Sequence, residues 1–417
     1  MSEGRSFFIS VIKRVGWIIP SSIVTGVLVA FFLISLEYVT TFRFEHPWII
    51  WLLPVAGILI TWLYLFKKSA SAGNDLIIGE IHDAGEGVPP QITPLIMITT
   101  LITHLFGGSA GREGTAVQMG GGITAWFFKK LRIDNAQKGL LLTCGIAAGF
   151  GAVFGTPLAA SVFAIEVLAI GKIKHPAILY CLLAAVVADL TCRLAGGHHT
   201  SYKVLLTPAV HKSIRWISTD SLLLLKVIAA GCVFGYASRL FSFTSHFTKD
   251  LALKVFPGKW LRPIVGGSLV LVISYGIGNF SYLGLGVSNP DPHSVTILSA
   301  FEPGGATYLS WFWKLVLTVI TLGFGFKGGE VTPLFFIGAT LGNILAVISG
   351  APVAVFAAIG FLAVFSGATN TPLACTIMGV ELFGTDNVLF FAAGCFAAYF
   401  CSGHTGIYRT QKRWDNQ

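Results

Sequence analysis

The sequence predicts an all-α protein that crosses a membrane many times. Of its 417 residues, 54% are hydrophobic and only 11% are charged, whereas a soluble domain has about 25% charged residues. The mean hydropathy is +0.76. Several uncharged runs also reach the roughly 20 residues that a helix needs to span the apolar core of a bilayer. Composition and run length together therefore argue against a soluble globular domain.

Four uncharged runs are long enough to predict membrane-spanning helices. Residues 17–36 are too many for the apolar part of a signal peptide and lack a small-residue cleavage site, so we interpret them as a retained transmembrane helix. Residues 47–66 and 139–165 are each long enough for a further span. Residues 331–380 form a run about twice that length, which must fold back on itself. Its glycines and prolines predict short, tilted or broken helices.

Basic residues around the first two spans predict the orientation of the N-terminus. They are Arg5, Lys13 and Arg14 before the first span and Lys67 and Lys68 after the second, with only Arg43 in the connection between them. Because positive loops stay in the cytoplasm, the N-terminus is predicted to be cytoplasmic.

The formal net charge of +9 favours anions as partners, because a positive protein attracts them electrostatically. The basic residues are scattered over the loops between spans, so no nucleic-acid partner is expected. His198 and His199 lack a cysteine or carboxylate at ligand spacing, and the chain has no G-x4-GK[ST] motif. We therefore predict no metal, ATP site or organic cofactor.

The chain contains two copies of the same pattern. Residues 111–121, beginning GREGT, and residues 328–338, beginning GGEVT, share a G-x-E-x-T-x5-G frame at an offset of 217 residues. Residues 145–167 and 360–382 share T-P-L-A and a glutamate ten residues after the threonine, at an offset of 215. Two matches in the same order predict a duplicated chain. The predicted units are a first membrane repeat at 1–195, a polar connection at 196–220 and a second membrane repeat at 221–417.

Glu113 is the first candidate for a functional residue. An ionisable group at membrane depth costs about 2.5 to 3.5 kcal/mol on an insertion scale, so it indicates function. Gly111 and Gly114 let the backbone approach a ligand, and a helix that begins here offers free N–H groups to an anion. The carboxylate of Glu113 is itself such an anion. It would occupy the site when ionised and leave it when protonated, which couples protons to anions.

Each remaining polar candidate has a structural alternative. Arg112 and Glu113 would form a salt-bridged helix cap in a solvated loop, Thr332 would be the N-cap of the helix that follows it, and Asn74 would belong to a turn. Tyr408 would be an interfacial anchor. Glu330 is predicted to take the place of Glu113 in the second copy. For Glu166 and Glu381, packing or a hydrogen bond at a helix end is favoured over a role in transport.

At these motifs the sequence resembles the CLC family of anion channels and anion/proton antiporters. GREG opens one helix, GGEVTP opens its counterpart, and two T-P-L-A segments end in glutamate. The resemblance implies a CLC-type fold of two inverted repeats with many short, tilted and broken helices. It also implies a homodimer with one pathway per subunit.

Details of the motifs resemble the bacterial fluoride/proton antiporter branch, CLC-F. Chloride-transporting members have a serine and Gly-Ile-Pro where this chain has GNDLI at 73–77, and an aromatic residue near the place of Val331. Many also have a second acid in the position of Val167, so a proton route through that acid is absent here. The resemblance implies export of fluoride in exchange for protons across the bacterial inner membrane.

The resemblance also implies roles for single residues. Glu113 would be the gating and proton-exchanging glutamate, and Glu330 an acid beside the pathway. The implied anion-binding residues are Asn74, Gly111, Arg112, Gly114, Val331, Thr332 and Tyr408. The alternatives are a chloride/proton antiporter or passive anion channel on the same scaffold. An intramembrane hydrolase is disfavoured because no dyad that could activate water stands out, so no enzymatic activity is predicted.

Overall fold

The computed structural model describes residues 2–66, 73–83, 85, 87–171, 175–200 and 219–413, with the side chains of 2–8, 175, 219 and 220 excepted. Lys67, Lys68 and most of the predicted connection at 196–220 lie outside the described residues. The predicted orientation of the N-terminus and the predicted division into 1–195, 196–220 and 221–417 stay predictions.

The described residues form fifteen α-helices, which confirms the all-α class. They are α1 (Ser2–Glu45), α2 (Leu53–Leu65), α3 (Asn74–His82), α4 (Ile92–Leu105), α5 (Glu113–Lys130), α6 (Lys138–Phe154), α7 (Pro157–Glu166), α8 (Ile178–Leu194), α9 (Thr219–Val255), α10 (Leu261–Gly276), α11 (Ser310–Gly323), α12 (Val331–Ser349), α13 (Val353–Thr369), α14 (Pro372–Phe383) and α15 (Val388–Cys401). Two short strands, β1 (Ala169–Ile170) and β2 (Lys412–Arg413), pair in parallel.

Five helical segments in the described part of the chain are long and apolar enough to cross a membrane. They are Ile9–Glu45, Pro47–Leu65, Asn135–Phe154, Ser221–Val255 and Val331–Ser349. The other apolar helices have 10–17 residues. Such short helices satisfy their backbone groups in a membrane only where protein covers their ends, so the helices must pack against one another.

Two predicted runs break at turns that end a helix. The run 331–380 folds back as predicted, because Gly350 and Asn370 adopt left-handed conformations with φ of 63° and 58° after α12 and α13. The run 139–165 holds the predicted span, within Asn135–Phe154, but continues into a second, short helix after a turn. Gly155 ends α6 with a φ of 71°, and Pro157, which has no backbone N–H, starts α7.

Glycines allow the closest helix crossings, α5 with α6 and α12 with α13. A Cβ on Gly338 would lie 2.0 Å from the carbonyl oxygen of Gly360, and one on Gly120 would lie 2.1 Å from that of Gly145. Small residues at such crossings bring two backbones into contact, which stabilises helix pairs in membranes. In both copies of the repeat, glycines therefore allow close packing of two neighbouring helices.

Aromatic rings fill the space between the two copies. Phe150 and Phe163 stack at a centroid distance of 4.4 Å, and Phe335 and Phe361 stack at 3.8 Å. Phe365 contacts both pairs. This buried core fixes α6 and α7 against α12 and α13, and so holds the starts of α5 and α12 in place.

Glu166 and Glu381 each bond to the helix start in the other copy. Glu166 accepts hydrogen bonds from the backbone nitrogens of Leu373 and Ala374, at 3.0 and 2.8 Å. Glu381 accepts from those of Leu158 and Ala159, at 3.0 and 2.7 Å. A carboxylate at a helix N-terminus meets unpaired N–H groups and the positive end of the helix dipole. The predicted hydrogen bonds at helix ends are confirmed.

Candidate functional site

The starts of α5 and α12 face each other across a pair of glycines. The backbone nitrogen of Gly111 donates to the carbonyl oxygen of Gly329 at 2.6 Å, and the nitrogen of Gly329 donates back to the oxygen of Gly111 at 2.7 Å. A Cβ on Gly329 would lie 2.7 Å from the nitrogen of Gly114. Only glycine allows this approach, which brings the two helix N-termini together.

The carboxylate of Glu113 lies against the first turn of α12. Its Oε2 accepts hydrogen bonds from the backbone nitrogen of Thr332 at 3.0 Å and from the Thr332 hydroxyl. The backbone nitrogen of Arg112 donates to the same oxygen at 3.3 Å. The residue is 1% exposed. The carboxyl group is thus placed where a helix N-terminus binds an anion.

The structure corrects the interpretation of Thr332 as an N-cap. Thr332 is the second residue of α12, and the N-cap position belongs to Glu330, whose side chain makes no capping hydrogen bond. The hydroxyl of Thr332 is therefore free to donate to Glu113 in the other copy. The alternative left open by the sequence, a hydroxyl that contacts a bound anion, fits the observed geometry.

The structure also corrects the place of Glu330. Glu113 is the first residue of α5 and Val331 is the first residue of α12, while Arg112 and Glu330 are the respective N-caps. The bridge between Gly111 and Gly329 has the same register. The sequence frame, which aligned the two glutamates, is therefore displaced by one residue. Glu330 stands in the place of Arg112, so the two acids point to different surroundings.

Arg112 links Glu113 to a segment that the sequence did not single out. Its Nε lies 3.5 Å from Oε1 of Glu113, and its Nη2 donates to the hydroxyl of Thr200 at 2.7 Å. The predicted alternative, an ion pair in a solvated loop, is wrong about the solvent because Glu113 is buried. The Arg112 side chain thus lies near the carboxylate oxygen that Thr332 does not hold.

A cavity of about 130 Å³ lies next to the glycine bridge and brings Asn74, Glu330 and Tyr408 together. Gly328 and Gly329 form its boundary towards Glu113. Its other polar and charged lining residues are Tyr64, Asp75, Gln118, Ser245, His246, Lys249, Lys327 and Arg409.

The C-terminal segment carries Tyr408 into this cavity. The Thr410 hydroxyl donates to the Asp75 backbone oxygen at 3.1 Å, next to Asn74 at the start of α3. The Gln411 amide donates to the backbone oxygens of Val167 and Thr369 at 3.0 and 2.9 Å. These bonds tie the segment to α3, α7 and α13. Tyr408 is buried, so the alternative of an interfacial anchor is wrong.

Two side-chain amides in the cavity have an oxygen without a hydrogen-bond partner among the described residues. They belong to Asn74 and Gln118. Buried polar atoms in proteins are nearly always hydrogen-bonded, so unpaired ones at a cavity indicate a ligand or water. An amide can present either its carbonyl or its NH2 group, and the latter donates to an anion.

The structure brings together most of the predicted site residues, in two adjacent groups. Gly111, Arg112, Gly114 and Thr332 surround Glu113, and Asn74, Glu330 and Tyr408 line the cavity. Val331 is buried in the apolar core and does not line the cavity. Gln118 and Lys327 were missed, although a glutamine inside an apolar helix and a lysine before GGEVT were visible signals.

The substitution Thr332→Val tests the hydrogen bond from the Thr332 hydroxyl to the Glu113 carboxylate. Valine keeps the backbone N–H but removes the hydroxyl donor, and a hydrogen bond to a charged group contributes about 1.5 to 3 kcal/mol. With Glu113 as the proton-exchanging residue that the resemblance implies, we expect the number of protons moved per anion to fall, because the carboxylate leaves α12 more readily. Thr332→Ser keeps the hydroxyl and should restore the ratio. Equal ratios for all three proteins, measured by paired ion and pH electrodes on liposomes, would show that the hydroxyl does not contribute.

Two helix N-termini that meet at a buried acid, beside a polar cavity in a multi-pass membrane protein, form an arrangement suited to the transport of anions. Residues 55–403 match the family model described as voltage gated chloride channel. The chain belongs to the CLC family of anion transport proteins, which are not enzymes.

Individual relatives fit the same family. A chloride/fluoride channel protein of Pseudomonas syringae pv. tomato is 43% identical over 399 residues, which cover 94% of this chain and 84% of the relative. The crystal structure of a CLC-type fluoride/proton antiporter superposes with a TM-score of 0.90 at 34% identity, covering 97% of this chain and 99% of the other. A slow cyanobacterial Cl⁻/H⁺ antiporter, at 19% identity and a TM-score of 0.75 over 93% and 94% of the chains, shares the fold.

Proposed function

We propose that this protein exports fluoride in exchange for protons, with Glu113 as the gating and proton-exchanging residue. The observation that carries the proposal is the Glu113 carboxylate bound to the backbone N–H and hydroxyl of Thr332. The choice of fluoride is supported by the names of the 43% identical relative and the 34% identical structure.

Coupling follows from competition for the same donors. A fluoride ion and an ionised carboxylate both accept hydrogen bonds from Thr332, so one excludes the other. Protonation of Glu113 weakens its hold, because a neutral carboxyl group accepts weaker hydrogen bonds than a charged one. The released donors then bind fluoride, and return of the carboxylate expels it. The cycle exchanges a proton for an anion without a metal or cofactor.

The cavity residues would replace the water that fluoride loses. Fluoride is small and strongly hydrated, so a dry pathway must supply short hydrogen bonds. The Tyr408 hydroxyl and the amides of Asn74 and Gln118 are donors of this kind. Glu330 would take part as an acid beside the path, since its side chain lines the same cavity.

We further propose a homodimer in the bacterial inner membrane, with one pathway in each subunit. The two membrane repeats, 1–195 and 221–417, would have opposite orientations and be joined by 196–220. The reciprocal bonds of Glu166 and Glu381 support a twofold relation between the copies.

Paired flux measurements in reconstituted liposomes test the proposed function. Fluoride, chloride and proton movements are recorded on the same preparation with ion-selective and pH electrodes. We expect a fluoride gradient to drive protons uphill and chloride to move at least about tenfold more slowly, which corresponds to 1.4 kcal/mol of discrimination. Chloride flux equal to that of fluoride would favour a chloride/proton antiporter, and anion flux without protons would favour a passive channel.

A further inference from the structure

A second, larger cavity of about 530 Å³ opens beside the first, near the ends of two membrane-spanning segments. α2 ends at Leu65 and α9 ends at Val255, while α10 begins at Leu261. The apolar part of its wall is formed mainly by Ile60, Leu65, Leu253, Pro263 and Phe324. The cavity thus lies at a membrane boundary and has room for more than a small ion.

Its charged lining is strongly positive. Lys249, Lys259, Arg262 and Lys327 line it, against the single acid Glu330. The Nε of Arg262 is buried and has no hydrogen-bond partner among the described residues. A buried guanidinium nitrogen of this kind is suited to an oxyanion, which accepts its hydrogen bonds in pairs.

Residues next to the cavity lining are of the types found at the membrane interface between lipid headgroups and acyl chains. Trp260 and Leu261, which lie between Lys259 and Arg262, are 42% and 48% exposed. Tryptophan is enriched at this depth, and flanking lysine and arginine residues reach the headgroup phosphates. The basic residues after the second span predict that this end faces the cytoplasm, where the leaflet carries anionic lipids.

We propose that this cavity binds the headgroup of an anionic phospholipid. The phosphodiester bonds to Arg262 and Lys259, and the acyl chains extend along the apolar wall. A free phosphate ion would meet the same cations but would leave that wall empty, so the amphipathic ligand is the better match. Basic pockets between helix ends bind lipid headgroups in this way.

The site would lie against the candidate ion path. The two cavities share Tyr64, Ser245, Lys249, Leu322, Lys327 and Glu330. A bound headgroup would offset part of the positive potential at Lys249 and Lys327, and so change the local concentration of anions at the smaller cavity. The lipid bound here does not depend on which anion is transported.

Thermal unfolding of the full-length protein in detergent tests the site. We expect phosphatidylglycerol, at concentrations where phosphatidylcholine has no effect, to raise Tm by about 2 °C or more, since a ligand stabilises the state that binds it. Lys259→Gln, at an exposed position that leaves the fold intact, should lose at least half of this rise, and Lys259→Gln with Arg262→Gln nearly all of it. Lys254→Gln is the matched control, because this exposed neighbour does not line the cavity.

A soluble probe distinguishes binding of a lipid headgroup from binding of a free phosphate. Glycerol phosphate has the same headgroup chemistry without acyl chains, and we expect it to leave Tm unchanged. An equal rise with glycerol phosphate would overturn the lipid assignment in favour of a free phosphate. If phosphatidylglycerol raises Tm equally in the wild-type protein, Lys259→Gln and Lys254→Gln, the proposed binding site would be wrong.

Discussion

Glu113→Gln is expected to abolish proton movement driven by a fluoride gradient. Glutamine has nearly the same shape and keeps an oxygen that accepts from the Thr332 nitrogen and hydroxyl, so the start of α12 retains its partner. It cannot ionise or carry a proton. The exchange of carboxylate for fluoride then no longer depends on protonation, and proton flux should fall to the level of protein-free liposomes.

The decisive measurement records protons and fluoride together, because loss of fluoride flux alone would also follow from misfolding. Glu302→Gln is the matched control, since Glu302 is exposed in a loop away from the glycine bridge and should leave coupling unchanged. Proton movement per fluoride that is unaltered in Glu113→Gln would contradict the proposed gating role. A monodisperse elution profile for both variants confirms that the comparison concerns transport.

Much of the candidate site could be predicted from sequence because its residues carry local signals. Gly111 and Gly114 flank an acid between two apolar runs, and the second copy repeats this pattern with Thr332. A charged residue among glycines is rare at membrane depth, so the pattern points to a helix start exposed to a ligand. The fold class follows from the same low charge and long uncharged runs.

The features of the fold and site that the sequence did not predict depend on contacts between distant segments. The motif alignment matches the two copies only by the spacing of residues in the sequence. The register of α5 against α12 is instead decided by hydrogen bonds between Gly111 and Gly329. The frame therefore misplaced Glu330 by one residue. Thr200 carried no local signal, and the signal at Gln118 did not show its role, because a polar residue acquires its role only from the side chain or cavity that it meets. The break at Gly155 was missed because an uncharged run hides a turn.

Closely packed glycines make the structure sensitive to added side-chain volume at the crossing of α12 and α13. Gly338 and Gly360 meet there, and a Cβ on Gly338 would lie 2.0 Å from the oxygen and 2.5 Å from the carbonyl carbon of Gly360. Backbone atoms cannot move aside as a flexible side chain can. The two helices would have to separate, which would also displace the first turn of α12 that holds Glu113.

Gly338→Ala is therefore expected to destabilise the protein by about 3 kcal/mol or more, the upper part of the range for overpacked cores. The measurement is thermal unfolding in detergent, with yield of monodisperse protein as a second readout. Gly16→Ala is the control, because a Cβ at this position in α1 has no atom within 4 Å. Alanine also favours a helix over glycine by about 1 kcal/mol, so the control should unfold at the same temperature or slightly higher. Equal Tm values for the two variants would mean that this crossing accommodates the added methyl group without loss of stability, which would contradict the prediction.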